Sequence, residues 1–400
     1  MHFSFITPGV LALSMAVAFP VQASALREAL DAAVARSAEA EGARVRGADI
    51  EARRERAGRW LAGPPELAGS YKSDAWADDR GLSEAELGVS VPLWLPGQRA
   101  ASRAYAEDGQ ARSETGRIAL RLALAGELRD SLWRVAASDA EAELARARVA
   151  WTRELAEDMA RQVKAGEKAE TDRLLAVTEQ LAAERAAAEA EQTARAAQSL
   201  WRRLTGREPL APEPETVAAA GEPDAHPALA ALAAARREAK SALALAEADD
   251  RDAPSVGLAA TRERAERNLP SESSLTLSFN IPLGARAEQG ERHAELAARL
   301  AELDAEYVLT RDRLVLERAD AERSLALAEQ AARLAAEQRR LALQNRAHAR
   351  RALGLGEIAL LDFNRIDTLA FEAERGARLA ELAVGAARAR LNQALGVLPQ

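Results

Sequence analysis

Residues 99–165 run without a proline, and only Gly109, Gly116 and Gly126 weaken the stretch. Ala, Leu, Arg and Glu fill it, so it reads as one helix, a rod of roughly 100 Å at ~1.5 Å per residue. A helix of that length cannot be enclosed in a compact domain and must lie along others. Ile118, Leu122, Leu128, Leu132 and Val135, then Trp151, Leu155, Met159 and Val163, keep the heptad-like spacing of such packing. Lys164-Ala165-Gly166 turns the rod, and a second helix is expected over 170–204, closed by Thr205-Gly206.

The plan then repeats. Pro64/Pro254, Leu87/Leu277, Pro92/Pro282, Gly166/Gly356, Asp172/Asp362 and Gly206/Gly396 share one offset, 282 − 92 = 190. The apolar pairs Ile118/Val308, Leu124/Leu314, Val135/Leu325, Leu144/Leu334 and Trp151/Leu341 share it too. Chance identity is common in alanine-rich helices, but paired proline and glycine punctuation at one offset is not, so the chain is expected to be duplicated. The first repeat is expected over 26–206: a helix to about Leu61, a β-hairpin at 66–95, the long helix 99–165 and the return helix 170–204. A proline-rich linker, 207–227, precedes a second repeat over 228–400. Its helix covers 228–250, its hairpin 254–283, its long helix 286–353 and its return helix 358–395.

The hairpins stand out in a helix-forming chain. Leu87, Val89, Val91, Leu93 and Leu95 alternate with small, polar or amphipathic residues, and Leu275, Leu277, Phe279, Ile281 and Leu283 alternate with Ser, Thr, Asn and Pro. A period of two puts each apolar row on one face of a strand. Two strands alone are marginal and leave bare edges, and four per chain do not close a barrel. The edges vanish if several chains pool their strands, and a membrane accepts only closed barrels. Strands of about ten residues suit that thickness, with Tyr71, Trp76 and Trp94 as candidates for an aromatic girdle, although Trp94 is on the opposite row. A small soluble sheet folded inward against the helices satisfies the same alternation.

Val10 to Phe19 is apolar but too short to span a bilayer, and cleavage motifs end at Ala23 and Ala25, so residues 1–25 read as an export signal. The net charge of −8 offers no footprint for nucleic acid. Without cysteine there is no disulfide, thiolate site or lipid-bearing cysteine. His2, His226, His293 and His348 lack ligand spacing, and no triad or phosphate loop is present. No enzyme activity, cofactor or metal site is expected.

Three segments carry a resemblance: Val91-Pro92-Leu93-Trp94-Leu95-Pro96-Gly97-Gln98-Arg99 between strand and rod, Gly166-Glu167 with Asp172 and Leu174-Leu175, and Gly356-Glu357 with Leu361-Asp362. In this order, with the duplication, they resemble the TolC-type outer-membrane factors, the exit ducts of tripartite efflux pumps and type I secretion. The heavy-metal-efflux branch is the most similar. The resemblance covers everything after the signal. It implies a mainly α protein with a small β part, a homotrimer whose 3 × 4 = 12 strands form an outer-membrane β-barrel continued by a periplasmic α-helical barrel. It implies passive conduction, with a periplasmic adaptor (membrane fusion protein) and an inner-membrane pump of RND type as partners. Leu87, Val89, Val91, Leu93, Leu275, Leu277, Phe279 and Ile281 would face outer-membrane lipid. Gly166, Glu167, Asp172, Gly356, Glu357, Asp362 and Arg365 would form the periplasmic tip, its constriction and the adaptor contact.

There are departures. Ser37-Ala38-Glu39-Ala40 stands where the family has an early Asn-Pro, echoed only by His226-Pro227, and Arg365 replaces an aspartate that some members carry. The competing reading is a soluble periplasmic coiled-coil adaptor or scaffold.

Overall fold

The computed structural model describes residues 21–219, 221–284 and 289–399. Most of the expected export signal lies outside them. Two short helices, α1 (Val21–Arg36) and α2 (Ala38–Gly58), lead into strands β1 (Glu66–Ser73) and β2 (Ser83–Pro92). The long helix α3 (Gln98–Lys164) and its return α4 (Glu170–Thr205) follow. After a short 3-10 turn at Pro223–Ala225 come α5 (Pro227–Ala248), β3 (Ser255–Arg264), β4 (Glu272–Asn280), α6 (Gln289–Gly354) and α7 (Leu360–Ala394).

The rods pack through small side chains. On α4 the buried seam is Ala176, Ala183, Ala187, Ala194 and Ala197, ending at Trp201, and alanine at such positions lets the axes approach closely. Leu124, Ala125, Leu128, Leu132 and Val135 of α3 close one core with Ala29 and Leu30 of α1 and Ala197 and Trp201 of α4. A second core joins both helix pairs at their far ends, where Met159, Ala176, Leu353, Leu360 and Phe363 meet. In contrast, α6 leaves Val308, Leu309, Val315, Leu316, Leu327, Leu334 and Leu341 exposed. Their seven-residue spacings (308/315, 309/316, 327/334/341) draw an unpartnered ridge along it.

Two segments differ from the sequence expectation. The first helix is broken at Ser37, whose backbone N–H and hydroxyl both donate to the Val34 carbonyl at 3.1 Å, a local bond that competes with helix continuation. The proline-rich stretch, read from sequence only as a linker, is tied to the helices. Arg129 of α3, 2% exposed, donates Nε and Nη2 to the two oxygens of Glu215 at 2.7 Å each and Nη1 to Gln393 Oε1 at 2.7 Å. Asn392 of α7 donates to the Thr216 carbonyl and accepts from the Ala218 N–H, both at 3.0 Å.

The four strands form one antiparallel sheet in the order β1-β2-β3-β4. The central pairing joins the two halves of the chain, with Val89 opposite Leu258 and Val91 opposite Val256. Among the described residues no strand pairs with the outer edge of β1 or of β4.

Candidate functional site

Paired residues in a sheet share a face, so the register sorts every side chain. One face carries Leu67 and Tyr71 of β1, Leu87, Val89 and Val91 of β2, Val256 and Leu258 of β3, and Leu275, Leu277 and Phe279 of β4. Toward the hairpin turns that same face ends in Ser73, Ser83, Arg262, Arg264 and Ser273; the other face carries no large apolar side chain and holds Lys72, Glu84, Glu263 and Glu272 in one row. The apolar face is open to solvent, with Leu87 59%, Leu275 70% and Phe279 68% exposed. The inward-folded sheet allowed by the alternation is therefore not what forms. All eight residues expected to meet lipid lie on or beside this sheet: Leu87, Val89, Leu93, Leu275, Leu277, Phe279 and Ile281 are exposed, and Val91 is half-buried. Leu67, Val256 and Leu258 belong to the same face and escaped the sequence reading, because Gly257 and Ala259 blur the alternation of β3.

At the other end of the rods the two turns are built alike. Gly166 (φ 79°) and Gly356 (φ 74°) are left-handed, and a Cβ on either would meet nothing within 4 Å, so conformation and not space demands glycine. The N–H of Gly166 bonds Val163 O at 3.0 Å and that of Glu167 bonds Gln162 O at 2.9 Å; Gly356 and Glu357 repeat this with Leu353 O at 3.1 Å and Ala352 O at 2.9 Å. These bonds satisfy the last carbonyls of each descending helix. Asp172 and Asp362 sit in the first turns of α4 and α7, where the dipole favours a carboxylate. Asp362 and Arg365 are both exposed. Leu174, Leu355 and Leu361 are exposed beside them, leaving apolar surface at the tips. Arg173 pairs with Glu170 and holds its carboxyl below the usual range.

One group near the tips was not foreseen. Asp367 of α7 is 1% exposed, pairs with Arg148 of α3, accepts from Trp151 Nε1 at 3.2 Å and has Arg346 of α6 at 3.9 Å. The signal was a charge on the buried stripe Phe363, Asp367, Ala370. Among the described residues no group of acidic, histidine or cysteine side chains could hold a metal ion, and no helix is long and apolar enough to cross a membrane.

No family model and no curated protein matches the sequence. Solved structures do. The outer membrane protein VceC of Vibrio cholerae superposes with a TM-score of 0.73 at 16% identity, over 94% of this chain and 97% of that one. The Campylobacter jejuni CmeC outer membrane channel gives 0.74 at 13% identity, over 93% and 85%. CusC, whose structures concern transmembrane channel formation, gives 0.73 at 14% identity, over 93% and 92%. The fold is that of the TolC-type outer-membrane channels. In this chain the open sheet face and the paired tips lie at opposite ends of the same rods, since α3 and α6 each follow a strand and end at a tip glycine.

Proposed function

We propose that three copies of this duplicated chain close a twelve-stranded barrel (3 × 4 = 12) in the outer membrane of a Gram-negative bacterium, and that the rods continue it as a periplasmic tunnel. The observation that carries this reading is the four-stranded sheet with a continuous, largely exposed apolar patch across one face, from Leu67 to Phe279, and with an unpaired strand at each edge. Lipid on that face and a neighbouring copy at each edge satisfy both deficits. The exposed ridge of α6 gives the neighbouring copy a helix face to pack on. The protein then acts as the exit duct of a tripartite efflux system, conducting passively and catalysing nothing.

The tips around Gly166, Glu167, Asp172, Gly356, Glu357, Asp362 and Arg365 form the closed mouth and receive the adaptor, with Leu174, Leu355 and Leu361 as its apolar contact. An inner-membrane pump of RND type supplies the energy. The segment Val91–Arg99 favours the heavy-metal branch, with cargo chosen by the pump. In cell fractions the protein should be found in the outer membrane and run as a trimer in mild detergent; a soluble single chain would overturn the duct. Gly166→Pro and Gly356→Pro force φ to about −65° and remove an N–H that bonds the descending helix. Both should abolish efflux while leaving the trimer in the membrane, and normal efflux by both would remove the tip assignment.

A further inference from the structure

Where the chain passes from α2 into the sheet it carries a patch that the second half lacks. Residues 52–63 hold Arg54, Arg56 and Arg59 against one carboxylate, Glu55, besides Arg53, which pairs with Asp49, and residues 98–106 add Arg99 and Arg103 with no carboxylate. The equivalent stretch 242–253 reverses the sign, with Glu247, Asp249, Asp250 and Asp252 against Arg251. Arg56, Arg59, Arg99 and Arg103 have no carboxylate partner among the described residues. Arg99 donates to the Gly58 carbonyl at 3.0 Å and Arg103 to that of Ala57 at 3.5 Å, which leaves their charge unpaired. Asp249, brought to the start of α3 by Gln98 at 2.8 Å, is also approached by Arg292 at 3.9 Å. The N-terminus of α3 has no capping side chain and no acidic residue in its first turn, so its free N–H groups add to the same positive field.

Trp60 completes the patch. It is 87% exposed, and the Arg99 guanidinium stands 5.9 Å from its ring centre. The Ala62 N–H bonds Pro92 O and Trp94 Nε1 bonds Arg59 O, both at 3.2 Å, which fixes this segment beside the helix end of β2 and next to the exposed Leu93. The far end of the strands carries mixed charge instead, with Lys72, Glu84, Glu263 and Glu272 in one row and Arg262 and Arg264 on the opposite face. An exposed indole beside unpaired guanidinium groups, at the limit of an apolar wall, fits the boundary between hydrocarbon and headgroups. The ring occupies the boundary and the guanidinium reaches phosphate.

We infer that Arg59, Trp60 and Arg99 form, once per protomer, a docking surface for anionic phospholipid headgroups of the leaflet nearer the helices. This rests on the barrel reading above. The test places the full-length trimer in phosphatidylcholine vesicles that contain either brominated phosphatidylglycerol or brominated phosphatidylcholine at the same mole fraction. The Trp60 signal is the fluorescence difference between the wild type and Trp60→Phe.

Brominated phosphatidylglycerol should quench that signal with roughly fivefold higher apparent affinity than brominated phosphatidylcholine, as expected for basic residues at an anionic surface. The double variant Arg59→Gln/Arg99→Gln should lose the preference, and raised salt should erode it in the wild type. Equal quenching by the two lipids, or a preference that survives both the double variant and high salt, overturns the proposal. Protein that does not float with the vesicles overturns the barrel reading as well, whereas floating protein without a lipid preference overturns this inference alone.

Discussion

The indole of Trp133 in α3 lies across Gly385 in α7 with no room for a side chain between them: a Cβ on Gly385 would stand 2.6 Å from Cζ3 of the ring. Trp133 is itself buried, so it cannot swing aside. Gly385→Ala should destabilise by about 1–3 kcal/mol through overpacking, despite the gain in helix propensity. Gly376, on the same helix with open space around its Cβ, is the control. Gly376→Ala should stabilise by about 1 kcal/mol, so the two unfolding midpoints should move in opposite directions.

Asp367 joins α7 to α3 from a buried position. Asp367→Ala leaves Arg148 without its anion and should cost about 3 kcal/mol or more, whereas Asp367→Leu with Arg148→Met should recover much of that loss. A double-mutant cycle by urea unfolding measures the coupling, and additive single effects would contradict it.

The row Lys72, Glu84, Glu263 and Glu272 lies on the polar face, which lines the lumen in the proposed barrel. Charged rings select ions by sign. Glu84→Gln/Glu263→Gln/Glu272→Gln should therefore shift the reversal potential in a salt gradient away from cation preference, with the trimer intact. An unchanged reversal potential would place selection elsewhere.

His226 accepts the Ala228 N–H on Nδ1 at 3.2 Å and so caps α5. Burial pushes its pKa below the usual 6.5, against the pull of the Gln393 carbonyl and of Glu317. A depressed folded-state value means the cap is at full strength above pH 6.5 and is lost as the pH falls through that lower value. His226→Asn keeps a capping acceptor that does not titrate. Its unfolding midpoint should fall less than the wild type's between neutral and mildly acid pH, and parallel slopes would exclude the histidine as the cause.

The features legible in the sequence were those with local causes. Pro92 and Pro282, and the glycines at 166, 206, 356 and 396, constrain the backbone wherever they stand, so their spacing is visible without a fold. The rows Leu87–Leu93 and Leu275–Ile281 are visible for the same reason. Other features depend on partners far along the chain. That β2 pairs with β3 could not be read, because Gly257 and Ala259 mute the pattern of β3. The prolines of 207–227 mark a linker but give no sign that Arg129, 86 positions before Glu215, clamps it. Asp367 looks like any other acid on a helix until Arg148 is brought against it.

The open edges of β1 and β4 bear on how such a protein is made. Ahead of the assembly proposed above, a single copy in water would carry two sticky margins and an oily panel, to which any other extended chain could attach. The remedy for that hazard is the finished object itself. On the proposed trimeric reading, meeting two sisters and entering the bilayer would be nearly one event, and a variant that slows either step should clump before it leaks.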